Sequence, residues 1–158
     1  MIDRIIDWTG RAVAWLTFAM IVATCVVVVL RYGFDTSAIM LQESVIYMHG
    51  MVFMLGLAYT AQHDGHVRVD VLYGRMSVRA RGIVNLVGHL VLTLPLCLVI
   101  FFTSLDYVAS SWSVLEGSQE VGGVPLVFAL KTLIPVAAVM LAAHAAVQSV
   151  REFRTLLS

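Results

Sequence analysis

Two histidines in the most polar stretch of this sequence have a spacing that could bind a metal ion. His63 and His66 lie three residues apart, with the carboxylate of Asp64 between them, and imidazole and carboxylate groups are common metal ligands. Asp64 and Gly65 form a strong turn signal, so the two histidines are not a rigid helical pair, and no cluster of further ligands is nearby. We therefore predict a structured polar loop here and no metal site.

A second pair of histidines lies inside the apolar part of the chain. His89 and His144 are each predicted about two turns from the same side of a membrane, counted along their helices. Two facing histidines in a four-helix bundle can hold a haem. The alternative is that each is a lone polar residue near an interface. A four-helix haem protein of electron transfer stays open as a second interpretation of the sequence.

Glu43 and Lys131 form a third pair, because each is a charged residue near the start of a membrane helix. A carboxylate in such a place is costly unless it is paired or hydrated. We expect Glu43 to meet Lys131 or Arg31, and we expect both helix faces to point into protein. Hydration by lipid headgroups is the alternative for Glu43. The face of Lys131 continues as a small-xxx-small pattern that lets membrane helices approach closely, formed by Ala138, Ala142 and Ala146.

The composition identifies the class of protein that must position these residues. The chain has 158 residues, of which 60% are hydrophobic and 13% are charged, whereas about a quarter of the residues of a soluble domain are charged. A formal net charge of +0 gives no indication of a nucleic-acid partner. Cys25 and Cys97 lie in apolar surroundings away from any ligand cluster and are predicted to be inert. The sequence therefore predicts a membrane protein.

Four apolar stretches are long enough to cross a bilayer as helices. We place the spans at about 12–31, 41–62, 83–105 and 126–150, in one membrane domain that comprises residues 1–158. The first stretch is too long for a typical signal peptide and no clear cleavage site follows it, so it is predicted to remain. Pro95 should kink the third helix or be accommodated by its neighbours. The predicted fold class is an all-α membrane protein with four transmembrane helices.

The distribution of positive charge sets the expected orientation. Ten lysines and arginines are present, and only Arg31 and Lys131 fall near one side of the four predicted spans. The other side receives the remaining eight, and lysine and arginine accumulate in cytoplasmic loops. Both termini are therefore predicted to be cytoplasmic. The eight residues on that side are Arg4, Arg11, Arg68, Arg75, Arg79, Arg81, Arg151 and Arg154.

No pattern in the sequence supports an enzyme. It contains no serine, histidine and aspartate signature, no phosphate-binding glycine loop and no pair of deep carboxylates. Four helices joined by short loops are also expected to hold no polar cavity and no pair of broken helices of the kind that transport sites use.

The order of the polar motifs resembles a known family. A Gln42-Glu43 pair opens the second helix, and the sequence His66-Val67-Arg68-Val69-Asp70 follows that helix. Together with the third-loop and fourth-helix motifs, this order resembles the small membrane subunit of the tripartite ATP-independent periplasmic (TRAP) transporters, the DctQ-like family. The later motifs are Trp112, Glu116-Gly117-Ser118, the stretch Gly122 to Pro125, Lys131 and Pro135.

The resemblance implies a role in transport across a bacterial inner membrane. Such a subunit accompanies a large membrane subunit that carries the solute, often a carboxylate or sugar acid, and uptake is driven by an ion gradient, commonly of sodium. A periplasmic solute-binding protein delivers the solute. The small subunit resembles a fixed scaffold, without enzymatic activity and without a cofactor. A free-standing small membrane scaffold or channel is a further alternative.

The resemblance also gives expectations for individual residues. Six residues are expected to act in subunit contacts or in the structure: Gln42, Glu43, His66, Arg68, Asp70 and Lys131. Three more are expected to contact lipid headgroups or to mark the topology: Arg75, Arg79 and Arg81. The loop from Glu116 to Pro125 is expected to face the periplasm. One departure is that the second helix ends Gln62-His63, where a basic residue is common in the family.

Overall fold

The protein folds into four long helices, each of which runs antiparallel to the next along the chain. The computed structural model describes residues 1–66 and 73–157. Four helical segments are long and apolar enough to cross a membrane: Ile2–Gly33, Ile39–Gln62, Val78–Ser113 and Val127–Leu157. No strand occurs in these two ranges. The predicted all-α fold with four membrane-spanning helices is confirmed.

The third span is a composite of two α-helices and a π-helical turn. In chain order, the elements are α1 (Ile2–Gly33), α2 (Ile39–Gln62), α3 (Val78–Val87), the π-helical turn (Gly88–Thr93), α4 (Leu94–Ser113) and α5 (Val127–Leu157). Pro95 lies in the first turn of α4, directly after the π-helical turn. Proline has no N–H and crowds the carbonyl four residues before it, and a wider turn removes that conflict. The structure thus accommodates Pro95 within the span.

The helices pack in a row. α1 lies against α2, α2 lies against α5, and α5 lies against α4, whereas α1 barely touches α5. α5 therefore occupies an inner position, and its buried residues include Pro135, Ala138 and Ala145. Because a row has two broad faces, most apolar side chains of the other helices remain exposed, as expected of a chain surrounded by lipid or by a partner protein.

Both termini lie at the same end of the molecule, which we call the termini end. The carboxylate of Asp3 near the start of α1 forms an ion pair with the guanidinium of Arg151 near the end of α5. Asp7 lies 3.6 Å from the Nε2 atom of His63, at the end of α2. These contacts place the start of α1, the end of α2 and the end of α5 together. The loop between α4 and α5 lies at the other end, which we call the loop end.

α1 and α2 approach closely near the termini end. Gly10 is buried, and a Cβ atom at this position would overlap the ring of Tyr59. The same ring packs against His63, with 4.2 Å between the two ring centroids. Glycine at position 10 therefore allows an aromatic side chain of α2 to fill the space beside the backbone of α1.

The first and third spans are longer than the predicted apolar stretches. α1 begins at Ile2, so its charged first turns are helical. An ion pair of 2.8 Å between Asp7 and Arg11, four residues apart, supports these turns. The third span, predicted to end at about residue 105, continues as helix to Ser113. Hydropathy locates the part of a helix that lies in lipid, but it does not report where the helix itself ends.

Candidate functional site

The loop end is organised by the carboxylate of Glu43, in the first turns of α2. One oxygen of Glu43 accepts a hydrogen bond from the hydroxyl of Ser118. The other accepts from the backbone N–H of Val124 at 2.6 Å. One turn further along α2, the hydroxyl of Tyr47 donates to the backbone carbonyl of Val124 at 3.2 Å. Two side chains four residues apart on α2 therefore hold both ends of the loop segment 118–124.

The glycines of this loop are required by that arrangement. An added Cβ at Gly123 would lie 2.5 Å from the carboxylate of Glu43, and it would also overlap the side chain of Ser118. Gly122 has φ +80, a conformation that glycine adopts readily and other residues rarely do. The two glycines thus turn the backbone so that the N–H of Val124 points at Glu43.

An ion pair holds the same loop against α5. The Nζ atom of Lys131 lies 2.5 Å from the Oε2 atom of Glu116. The hydroxyl of Ser111, near the end of α4, donates to the same oxygen at 2.6 Å. The ammonium of Lys131 also lies 4.2 Å from the ring centroid of Tyr107, a distance suited to a cation–π contact. Glu116 therefore ties the loop to both α4 and α5.

The prediction that Glu43 pairs with Lys131 or Arg31 is wrong. Both charged groups are near the loop end, as predicted, but the loop folds between them. The hydroxyl of Ser118 and the backbone N–H of Val124, both in the loop, donate to Glu43. The carboxylate of Glu116, also in the loop, pairs with Lys131. Helix periodicity gave the depth and the face of Glu43 and Lys131, but it could not place a loop that folds back onto them.

The environment of Glu116 favours its ionised form. The hydrogen bond from the ammonium of Lys131 lowers the pKa of the Glu116 carboxyl below its ordinary value, and the hydrogen bond from Ser111 lowers this pKa further. Partial burial opposes these two effects without reversing them. The ion pair is therefore maintained at neutral pH.

Trp112 adds an aromatic contact to the same region. Its indole N–H donates to the hydroxyl of Thr132 at 2.9 Å. Its ring packs against that of Phe128 with 4.6 Å between centroids. Trp112, named in the sequence only as part of the family pattern, therefore joins the end of α4 to the first turns of α5. The sequence reasoning missed Thr132 and Ser111, because single hydroxyl groups in apolar helices have no distinctive spacing.

Gln42 does not share the environment of Glu43. It lines a hollow of about 320 Å³ at the start of α2, together with Arg31 and Asp35. The small-residue face that begins at Lys131 is also only partly buried: Ala138 is buried, whereas Ala146 is exposed. A step of four residues rotates about 40° past a full helical turn, so the predicted inward face has turned away from the neighbouring helices by Ala146.

The termini end contains a polar cavity of about 220 Å³, which the sequence did not indicate. His144 and Glu152 on α5 face Asn85 and His89 on the third span. The residues that line the cavity are Ala61, Asp64, His66, Tyr73, Asn85, His89, His144, Gln148 and Glu152. The four-residue spacing of Asn85 and His89, and of His144, Gln148 and Glu152, was the available signal.

Two side-chain hydrogen bonds connect three residues that line this cavity. The hydroxyl of Tyr73 donates to the side-chain carbonyl of Asn85 at 3.1 Å. The amide of Asn85 donates to the carboxylate of Glu152 at 3.3 Å. His89 and His144 meet edge to face, with 6.4 Å between ring centroids. The cavity is smaller than the roughly 300–1,000 Å³ of typical cofactor pockets, so its dimensions do not favour a haem.

The remaining predicted residues lie around the loop between α2 and α3. Arg68 and Asp70 lie outside the described residues, and their roles stay predictions. Arg81 donates to the backbone carbonyls of Met76 at 3.1 Å and Gly74 at 2.9 Å, so it stabilises the turn before α3. Its sequence neighbours Arg75 and Arg79 are exposed.

In residues 1–66 and 73–157, no three His, Cys, Asp or Glu side chains form a group that could hold a metal ion.

Comparison with known proteins identifies the family. A family model described as "Tripartite ATP-independent periplasmic transporters, DctQ component" matches residues 20–155, which is most of the chain. A comparison with curated proteins found no match. The matched range includes Glu43, the whole loop end and Lys131. The chain therefore belongs to the DctQ component family of the tripartite ATP-independent periplasmic transporters and is a small membrane subunit of such a transporter.

Proposed function

We propose that this chain is the fixed scaffold beside a large membrane subunit that carries the solute. The observation that supports this most directly is the row of helices with a firmly attached loop at its end. Glu43 connects that loop to α2, Glu116 connects it to α4 and α5, and Trp112 joins α4 to α5 beside it. A segment that moves during transport would need to break such contacts, whereas a static support benefits from all of them.

The broad faces of the row suit a protein that is partly covered by another membrane protein. On α1, the side chains of Trp8, Trp15 and Val22 recur every seven residues and are all exposed, so they form one apolar stripe. Such a stripe fits either acyl chains or a partner helix. A chain with two large apolar faces can therefore widen the static part of a transporter while remaining in contact with lipid.

The transport step itself is proposed to belong to the partner. The cavity at the termini end is lined by Asp64 and Glu152, and two carboxylates are poorly suited to a carboxylate or sugar-acid solute because like charges repel. The expected solute and the ion gradient that drives its uptake are therefore proposed to act on the large subunit. A periplasmic solute-binding protein is proposed to deliver the solute.

The orientation follows from the same charges that predicted it. We place the termini end, with Arg151 and Arg154, in the cytoplasm of a bacterial cell, and the chain in the inner membrane. The loop end then faces the periplasm. There, Gln119, Glu120 and Val121 are exposed and available to a docking protein.

Co-purification tests the scaffold role. The gene would be expressed with its neighbouring transporter genes, with an affinity tag on this chain only. We expect the large membrane subunit to co-purify in a stable complex. Proteoliposomes that contain both subunits and the solute-binding protein should take up solute when an ion gradient is applied. Undiminished uptake without this chain, or a functional homo-oligomer that never binds a large subunit, would contradict the proposal.

A further inference from the structure

We propose that the cavity at the termini end binds a primary ammonium group, with Glu152 as its counter-charge. This inference goes beyond the scaffold role, because it assigns a ligand to a cavity at the opposite end of the molecule from the loop end. It rests on the lining of the cavity, on one buried unpartnered nitrogen and on the groove beside the cavity.

The first observation is the charge of the cavity lining. Glu152 and Asp64 contribute carboxylates, and no lysine or arginine is among the described residues that line the cavity. Within the described chain, Glu152 accepts a hydrogen bond from the neutral amide of Asn85 and forms no ion pair. A partly buried carboxylate that has only a neutral donor is stabilised by a cation.

The second observation is the side chain of His144. It is only 3% exposed, and its Nδ1 atom is buried without a hydrogen-bond partner among the described residues. Leaving a buried polar atom unsatisfied is costly, so such atoms usually mark a missing ligand or water. His144, Gln148 and Glu152 follow one another at intervals of four residues along α5 and line the cavity together. They offer an imidazole nitrogen, an amide oxygen and a carboxylate.

This set of acceptors matches the chemistry of a primary ammonium group. Such a group carries one positive charge and three N–H donors. It can therefore donate to more than one of these acceptors, with Glu152 supplying the counter-charge. A quaternary ammonium group carries the same charge but has no N–H donor, so it would leave these acceptors unsatisfied. A cavity of about 220 Å³ has room for a small aminoethyl group.

The neighbouring groove indicates where the ammonium could come from. Glu152 also borders a groove of about 520 Å³, which it shares with Arg79 and with apolar side chains that include Val78 and Leu156. A phosphate beside Arg79 would place an aminoethyl group near Glu152. Phosphatidylethanolamine has this combination of groups, and a free small amine shares only the ammonium.

Short-chain lipids test the proposal on the full purified chain in detergent. Binding of dihexanoyl-phosphatidylethanolamine, dihexanoyl-phosphatidylcholine and ethanolamine would be measured by calorimetric titration. We expect phosphatidylethanolamine to bind at least about tenfold more tightly than phosphatidylcholine, because hydrogen bonds to charged groups contribute about 1.5–3 kcal/mol. Binding of ethanolamine as well would identify the ligand as any small primary amine. Binding of phosphatidylethanolamine without ethanolamine would identify it as a lipid.

Two variants connect the binding to the cavity. Glu152→Gln keeps a hydrogen-bond acceptor for Asn85 and removes the charge, and it should weaken phosphatidylethanolamine binding about ten- to hundredfold. Gln148→Leu, which keeps every charge, should weaken it less. Glu120→Gln, at the exposed loop end, is the matched control and should leave phosphatidylethanolamine binding unchanged.

Equal binding of the two lipids by the unaltered chain, or preference for phosphatidylethanolamine that persists in Glu152→Gln, would overturn the proposal. Neither result would affect the scaffold role, which is tested by co-purification.

Discussion

The carboxylate of Glu43 accepts a hydrogen bond of 2.6 Å from the backbone N–H of Val124, which lies 81 residues further along the chain. This contact joins the first hairpin of helices to the second at the loop end. It also fixes the conformation of the loop that follows α4, because Ser118 of that loop donates to Glu43 and Tyr47 donates to the carbonyl of Val124. Several measurable properties of the protein should depend on this relationship.

Replacing Glu43 with alanine should loosen the loop end without unfolding the helices. The N–H of Val124 and the hydroxyl of Ser118 would lose their acceptor, at a cost of about 1–3 kcal/mol for each group that stays buried and unsatisfied. We expect faster amide hydrogen exchange in residues 114–126 and unchanged exchange in the centre of α5. Glu120→Ala removes an exposed carboxylate from the same loop and serves as the control. Equal exchange in both variants would show that Glu43 does not hold the loop.

Replacing Gly123 with alanine should disturb the same loop by steric overlap. The new methyl group would lie 2.5 Å from the Glu43 carboxylate, so the carboxylate or the turn must move. The yield and thermal midpoint of the purified protein should both fall. Gly56→Ala is the control, because an added Cβ there meets nothing within 4 Å, and alanine is favoured over glycine in a helix by about 1 kcal/mol. A Gly123→Ala protein as stable as Gly56→Ala would contradict the packing described for the loop.

The ion pair between Glu116 and Lys131 predicts a specific dependence on pH. The pKa of Glu116 is lowered from its ordinary value of 4.5, so the folded state binds this proton less readily than the unfolded state does. The stabilisation is therefore complete above that ordinary value and is lost as the pH falls through the lower pKa of the folded state. Hydrogen exchange of the loop should accelerate in this acidic window in the native protein. Glu116→Gln should lack this acceleration, and an identical acid response in the variant would refute the assignment.

Charge exchange separates this ion pair from the one predicted from the sequence. The double variant Glu116→Lys with Lys131→Glu keeps opposite charges in contact and should recover part of the stability lost in each single variant. The double variant Glu43→Lys with Lys131→Glu should recover none, because these two side chains bind different groups of the loop. Thermal midpoints of the single and double variants give the coupling energies. Recovery in the second pair alone would reverse our assignment.

The proposed orientation can be measured by cysteine labelling in intact cells. After the native Cys25 and Cys97 are replaced by alanine, a single cysteine would be introduced at Gln119 or at Leu157, both of which are exposed. A membrane-impermeant maleimide should label the Gln119→Cys protein and should label the Leu157→Cys protein only after the cells are lysed. The reverse pattern would place the termini in the periplasm and contradict the proposed topology.

Much of the fold was predictable because the bilayer imposes simple rules. Stretches such as 12–31 had to be helical, since a backbone in lipid must satisfy its own hydrogen bonds. The motifs around Glu43, Trp112 and Lys131 were also sufficient to indicate the family, which the match over residues 20–155 confirms. The helix ends were less predictable. The charged first turns of α1 and the polar end of α4 are helical although they lie outside the apolar stretches.

The partners of the charged residues were decided by tertiary structure alone. The sequence determined that Glu43 and Lys131 lie near one end of the bundle, because depth follows from position along a helix. It could not determine that a loop would fold between them, since loop conformation depends on contacts such as the one between Glu43 and the N–H of Val124. In the same way, a helical period places His144, Gln148 and Glu152 on one face. Only the packing of α5 against the third span encloses that face as a cavity.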